Sequence, residues 1–89
     1  MLGGAVMADD IQKAIKEYIL KEFLPGEDPE ELTETTPLIT GGILDSIATL
    51  KLVAFIEERY VLTLAAHEAD VEHLNTIADI THLILSKKP

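Results

Sequence analysis

The chain has 89 residues, and its 16 Asp and Glu against 7 Lys and Arg give a formal net charge of −9 at pH 7. This acidity disfavours nucleic-acid phosphates and anionic lipid head groups as partners and complements basic protein surfaces, although solubility alone also explains such a charge. The length suffices for one small domain, whose core the 47% hydrophobic residues can form, and it disfavours a deep, enclosed active site. The absence of cysteine excludes disulfides and cysteine-based sites.

Residues 1–8 are predicted to form a flexible leader, because they lack the basic region and the long apolar core of a signal peptide. No apolar run is long enough to span a bilayer, so we expect a cytoplasmic protein. Asp9 and Gln12 form a candidate capping box for a first helix, which Pro25 and Gly26 end. The apolar residues of this helix recur at helical spacing and predict one buried face: Ile11, Ile15, Tyr18, Ile19 and Leu24.

A long acidic connection, residues 25–44, follows the first helix and is punctuated by proline and glycine. A loop of this length is uncommon in a compact domain and is usually functional or ordered by its own contacts. We expect a short helical turn over residues 30–34. Three apolar side chains are expected to pin the loop to the helices: Leu32, Leu38 and Ile39.

The second helix is predicted to run from Ser46 to Tyr60 and is apolar on two sides. Its first apolar stripe contains Leu52, Ile56 and Tyr60, and Val53 and Phe55 widen it. A second apolar group lies round the helix from the first and indicates either a central place in a bundle or an exposed recognition patch: Ile47, Leu50 and Ala54.

The last third of the chain predicts a connector and two more helices. Residues 61–64 read as an extended connector, residues 65–73 as a short helix, and Thr76 with Asp79 as a capping box for the final helix. The predicted fold is all-α: a small four-helix bundle of three main helices and a short third one, with the long loop between helices 1 and 2. The functional domain is expected to cover residues 9–86, followed by a tail at 87–89.

Side chains suited to catalysis or metal binding are sparse. His67 and His73 are six residues apart and so lie on different faces of a helix, and with His82 they offer no spacing that a metal needs. Ser46 lacks the nucleophile elbow of serine hydrolases, and the histidines lie far along the chain. We therefore predict a protein that is not an enzyme and holds no metal.

The junction from Gly42 to Leu50 leaves the long loop and enters the second helix. In the simplest interpretation, Asp45 or Ser46 is only a helix N-cap. An exposed serine at a helix N-terminus is also a favourable attachment site for a phosphate-bearing group, because free amides and the helix dipole favour a phosphodiester. In that interpretation Asp45 helps to position the hydroxyl or a metal brought by the modifying enzyme. A docking surface would then flank the serine: Leu44, Ile47, Leu50 and Ala54.

The run Gly42-Ile43-Leu44-Asp45-Ser46-Ile47, followed by Thr49-Leu50, resembles the attachment motif of the acyl carrier protein superfamily. The resemblance covers about residues 9–86 and includes the acidity, the helix order and the long first loop. It implies a four-helix bundle in which Ser46 carries 4′-phosphopantetheine from coenzyme A, with Asp45 as its customary neighbour. It also implies that four positions on the second helix face partner enzymes: Ile47, Leu50, Ala54 and Glu57.

Two departures from the family pattern bear on the pathway. Carriers of fatty acid synthesis usually place acidic residues two and five positions after the serine, where this chain has Ala48 and Lys51. They also tend to have glycine three residues before the serine, where this chain has Ile43 and its glycine, Gly42, is one residue further back. This arrangement is similar to D-alanyl carrier proteins and to some stand-alone carriers of secondary metabolism.

The resemblance therefore implies a carrier that holds acyl or aminoacyl intermediates as thioesters and passes them between enzymes of a dedicated biosynthetic pathway. The implied partners are a phosphopantetheinyl transferase, an acyl- or aminoacyl-loading ligase and a downstream synthase or transferase, acting on a monomer. A D-alanyl or peptidyl-type aminoacyl carrier is the alternative within the family. From a different class, the chain could be an acidic helical interaction module in which Ser46 is only a cap.

Overall fold

The computed structural model of the protein describes residues 7–87, which contain four α-helices and no β-strand. The helices are α1, Ala8–Phe23; α2, Ser46–Tyr60; α3, Val71–Leu74; and α4, Ile77–Lys87. One turn of 3₁₀ helix, Pro29–Glu31, lies in the long connection. The predicted small helical bundle is confirmed. Of the predicted leader and tail, residues 1–6 and 88–89 lie outside the described residues.

The two ends of α1 differ in how well the sequence predicted them. The helix ends at Phe23, and the Leu24 amide donates to the carbonyls of Ile19 and Leu20, as expected for a stop before Pro25. The predicted capping box at the start is wrong, because α1 begins at Ala8 after Met7 and no side chain caps it. Asp9 instead lies in the first turn, where its negative charge complements the helix dipole.

The prediction of one helix over residues 65–73 is also wrong. Two hydrogen-bonded turns follow Ala65, and its amide donates to the Glu68 carboxylate at 2.9 Å. Asp70 is in an extended conformation, so the chain cannot continue helically through it, and its side chain caps α3 by accepting from the His73 amide. Helix α3 is therefore a single turn, Val71–Leu74, that begins six residues later than predicted.

The core draws side chains from every helix and from the connections between them. Helix α4 packs against α1 and α3. The connector at residues 61–64 has no regular secondary structure after the turn at Val61, and it buries Leu64, as expected. The long loop also contributes, since the predicted anchors Leu32 and Leu38 are buried and Ile39 packs on the core. The remaining core residues are mainly Ile11, Ile15, Ile19, Leu44, Leu52, Ile56, Leu74, Ile77, Ile80, Leu83 and Ile84.

Thr81 is a polar residue within the apolar stripe of α4. Its side chain is buried, and its Oγ1 has no hydrogen-bond partner among the described residues. A buried hydroxyl without a partner costs free energy, because it loses hydrogen bonds to water and gains none.

Thr81→Val is therefore expected to raise the free energy of unfolding by about 1 kcal/mol, measured by chemical denaturation. The same change at the exposed Thr63 is the matched control and should stay within about 0.5 kcal/mol of the wild type. A Thr81→Val protein less stable than the wild type would show that the hydroxyl is satisfied in solution.

Candidate functional site

The N-terminus of α2 is capped by Asp45 and not by Ser46. The Asp45 Oδ1 accepts a hydrogen bond from the Ala48 amide at 2.7 Å. Its backbone carbonyl accepts from the Thr49 amide at 2.9 Å and from the Thr49 hydroxyl at 2.8 Å. The cap interpretation therefore holds for the aspartate alone, and the serine has no part in it.

Ser46 is the first residue of α2 and is exposed. Its hydroxyl has no hydrogen-bond partner within residues 7–87. The first amides of a helix have no partner within the helix, and within residues 7–87 the amides of Ser46 and Ile47 donate no hydrogen bond. The positive end of the helix dipole adds to the preference of this point for a negatively charged group. An enzyme can reach the serine here without breaking a contact of the fold.

The loop before Ser46 closes on itself. The Leu44 amide donates to the Leu38 carbonyl at 2.8 Å, and the Gly42 amide donates to the Ile39 carbonyl at 3.1 Å. Gly42 has a φ of +84°, which favours glycine, and a β-carbon on Gly41 would collide with the Pro37 carbonyl. The two glycines therefore permit a tight loop that delivers Asp45 and Ser46 to the start of the helix.

The predicted docking surface on α2 is only partly exposed. Ile47 and Leu50 are 67% and 68% exposed, and Ala54 is also exposed, so these three present an apolar face to solvent. Leu44 is 3% exposed and belongs to the core, so its predicted place on that surface is wrong. Its amide donates to the Leu38 carbonyl where the loop closes, and its side chain packs in the core.

Glu57, also predicted to face partners, has a structural contact. Its Oε2 accepts from the Leu64 amide at 2.8 Å, and its carbonyl accepts from the Val61 and Leu62 amides at the end of α2. Val61 takes a left-handed conformation with φ of +51° at this turn. The carboxylate therefore ties the connector to α2, and its role towards partners stays a prediction.

An open groove of about 560 Å³ lies beside Ser46. One wall is formed by Ile39 and the start of α2, and the other by residues 69–71 at the start of α3. Sequence reasoning missed the second wall because it placed those residues inside a continuous helix. The Val71 side chain is 43% exposed, so it presents an apolar surface on the other side of the groove from Leu50.

Asp70, on the groove wall, is hydrogen-bonded to His73, with Oδ1 and Nδ1 2.8 Å apart, and the contact is an ion pair when the histidine is protonated. The hydrogen bond to Asp70 raises the pKa of His73, with smaller contributions from the charges of Asp70, Glu72 and Glu68, while desolvation opposes the shift. The same hydrogen bond lowers the pKa of Asp70. Because both side chains are partly exposed, solvent screening keeps the effect on stability small.

Because the pKa of His73 is higher in the folded than in the unfolded protein, its pairing with Asp70 stabilises the fold fully at pH values below the unfolded-state pKa of 6.5. This contribution to stability is lost as the pH rises through the pKa of His73 in the folded protein. The lowered pKa of Asp70 acts in the opposite sense, so its contribution is lost only in acid. Raising the pH from about 6 to about 8 should therefore lower the melting temperature of the wild type more than that of His73→Gln. Parallel pH profiles in thermal unfolding would contradict this pairing.

Within residues 7–87, no three His, Asp or Glu side chains converge in a way that could hold a metal ion. The same region has no helix that is both long enough and apolar enough to cross a membrane. His67, His73 and His82 are not brought together into one cluster.

Comparison with protein-family models gives no match, and neither does comparison with curated proteins.

Proposed function

We propose that the chain is a carrier protein that holds acyl or aminoacyl groups as thioesters on a 4′-phosphopantetheine arm attached to Ser46. The observation that carries the proposal is an exposed hydroxyl at the first position of α2 that the fold does not use, since Asp45 caps the helix. The attachment motif in the sequence, the acidity and the helix order support the same proposal.

The attachment is a phosphoryl transfer carried out by a separate transferase with coenzyme A and Mg²⁺. The Ser46 Oγ forms a bond to the phosphorus that bears the pantetheine group, and the bond from that phosphorus to the bridging oxygen breaks. Adenosine 3′,5′-bisphosphate leaves with the electron pair, and the serine proton passes to a base of the transferase. Ser46 is the only residue of this chain that reacts.

The residues around Ser46 fit a phosphodiester at this position. Among the described residues nothing pairs with the Ser46 hydroxyl or with the amides of Ser46 and Ile47, and these amides and the helix dipole favour the negative charge. Asp45 stays engaged with the Ala48 amide. When attached, the prosthetic group supplies a thiol that forms thioesters with carboxylic acids. The apolar groove beside the serine leaves room for the arm to lie against the protein.

Partner enzymes are proposed to dock on the exposed apolar face of α2, at Ile47, Leu50 and Ala54. This face has no acidic residue in the first turn of the helix, and Lys51 is exposed beside it. Partners that recognise acidic residues directly after the serine would find none here. We therefore propose a dedicated pathway, with its own loading ligase and downstream transferase or synthase, in preference to housekeeping fatty acid synthesis.

An acidic interaction module without a prosthetic group is the rival from another class, and the exposed Ile47 and Leu50 favour it equally. The two proposals differ in the fate of Ser46. Incubation of the protein with coenzyme A, Mg²⁺ and a transferase of broad specificity should add the mass of one phosphopantetheinyl group. An intact mass that stays unchanged under these conditions contradicts the carrier proposal and leaves the interaction module.

A further inference from the structure

Asn75 lies between α3 and α4 and holds the loop that precedes Ser46. Its Oδ1 accepts hydrogen bonds from the Ile39 amide at 2.9 Å and from the Thr40 amide at 3.0 Å. Only the oxygen of the side-chain amide can serve two N–H donors, so these contacts fix the orientation of the Asn75 side chain. Its Nδ2 then faces the Thr40 hydroxyl at 3.2 Å, and its backbone carbonyl accepts from the Leu38 amide at 2.6 Å.

The held segment is directly coupled to the attachment serine. Residues 38–40, which Asn75 binds, accept the Gly42 and Leu44 amides as the loop closes, and Asp45 follows Leu44. Ile39 also forms part of the groove wall beside Ser46. Asn75 thus fixes residues 38–40, at one end of the segment 38–44, and the other end of this segment leads to Asp45 and Ser46.

We infer that Asn75 is a positioning residue for the modification of Ser46, acting through residues 38–44. The inference rests on the proposed function. Loosening this loop leaves Ile47 and Leu50 of α2 in place, so a transferase still docks, but the hydroxyl samples positions away from the reacting phosphorus. The loss then falls on kcat, because misplacement of a reacting group slows the chemical step, whereas KM for the carrier changes little.

The test compares three variants with the wild type in steady-state kinetics of phosphopantetheinylation. Asn75→Ala removes the acceptor, and we expect kcat to fall by about tenfold. Asn75→Asp keeps an oxygen that accepts from both amides and should restore most of kcat. Thr76→Ala, one residue away, removes the cap on the Asp79 amide and destabilises α4 while leaving the loop contacts intact. It should keep kcat near that of the wild type.

Hydrogen exchange supplies a readout that does not depend on the reaction. The amides of Ile39 and Thr40 should exchange faster in Asn75→Ala than in Thr76→Ala. The inference is overturned if Asn75→Ala and Thr76→Ala have equal kcat, or if Asn75→Asp is as slow as Asn75→Ala. A wild-type protein that is not modified at all overturns the proposed function instead, and with it the reaction that Asn75 would serve.

Discussion

Ser46→Ala is expected to abolish attachment of phosphopantetheine completely while leaving the free energy of unfolding within about 0.5 kcal/mol of the wild type. The loss follows because no other side chain replaces the attacking oxygen. The stability follows from the geometry of α2, in which the Ser46 hydroxyl makes no hydrogen bond within the described residues. Intact mass after incubation with coenzyme A and a transferase measures the first effect, and chemical denaturation measures the second.

Asp45→Ala is the matched control, because it changes the neighbouring residue and removes the cap. It should destabilise the protein by about 0.5–2 kcal/mol, since the Ala48 amide loses its acceptor. If Ser46→Ala destabilised the protein as much as Asp45→Ala does, the serine would also act as a helix cap. A Ser46→Ala protein that still gains the mass of the arm would place the attachment elsewhere.

Leu38→Ala is expected to produce the largest loss of stability among single changes in the long loop, about 2–5 kcal/mol. Its side chain is fully buried in the core although it belongs to no helix. Removing it leaves a cavity and weakens the anchor of the segment that Asn75 and Leu44 bind. The loss is a large fraction of the roughly 5–15 kcal/mol by which a small domain is stable.

The same truncation at Leu50 tests whether burial is the cause. Leu50 is 68% exposed on α2, so Leu50→Ala should change the free energy of unfolding by no more than about 0.5 kcal/mol. Denaturant titration of both variants gives the comparison. Equal losses at positions 38 and 50 would contradict the assignment of Leu38 to the core and of Leu50 to an open face.

The helical parts of the fold were predictable because their signals are local. Apolar residues at helical spacing predicted α1, α2 and α4. Of the predicted capping box at the start of α4, the structure has one half: the Thr76 Oγ1 accepts a hydrogen bond from the Asp79 amide. Local signals also misled. Asp9 is a good capping residue in sequence, but α1 begins before it, and the helical pattern over residues 65–73 is interrupted by the extended Asp70.

The site was predictable only to the level of the Asp45–Ser46 pair. Both residue types cap helices well, so sequence alone leaves open which of them does so, and only the hydrogen bond from the Ala48 amide decides it. Leu44 and Asn75 depend on long-range contacts with no local pattern. Leu44 is buried where its amide binds the Leu38 carbonyl, and Asn75 binds Ile39, 36 residues earlier in the chain.

The mass of the peptide that contains Ser46 tests most directly whether this residue is an attachment point. Protein from the cells that make it, and the same protein after treatment with coenzyme A and a transferase, would be digested and sequenced by tandem mass spectrometry. Attachment at Ser46 predicts a phosphopantetheinyl group on this residue, and full modification after treatment. A Ser46 peptide that is unmodified in both preparations would contradict it.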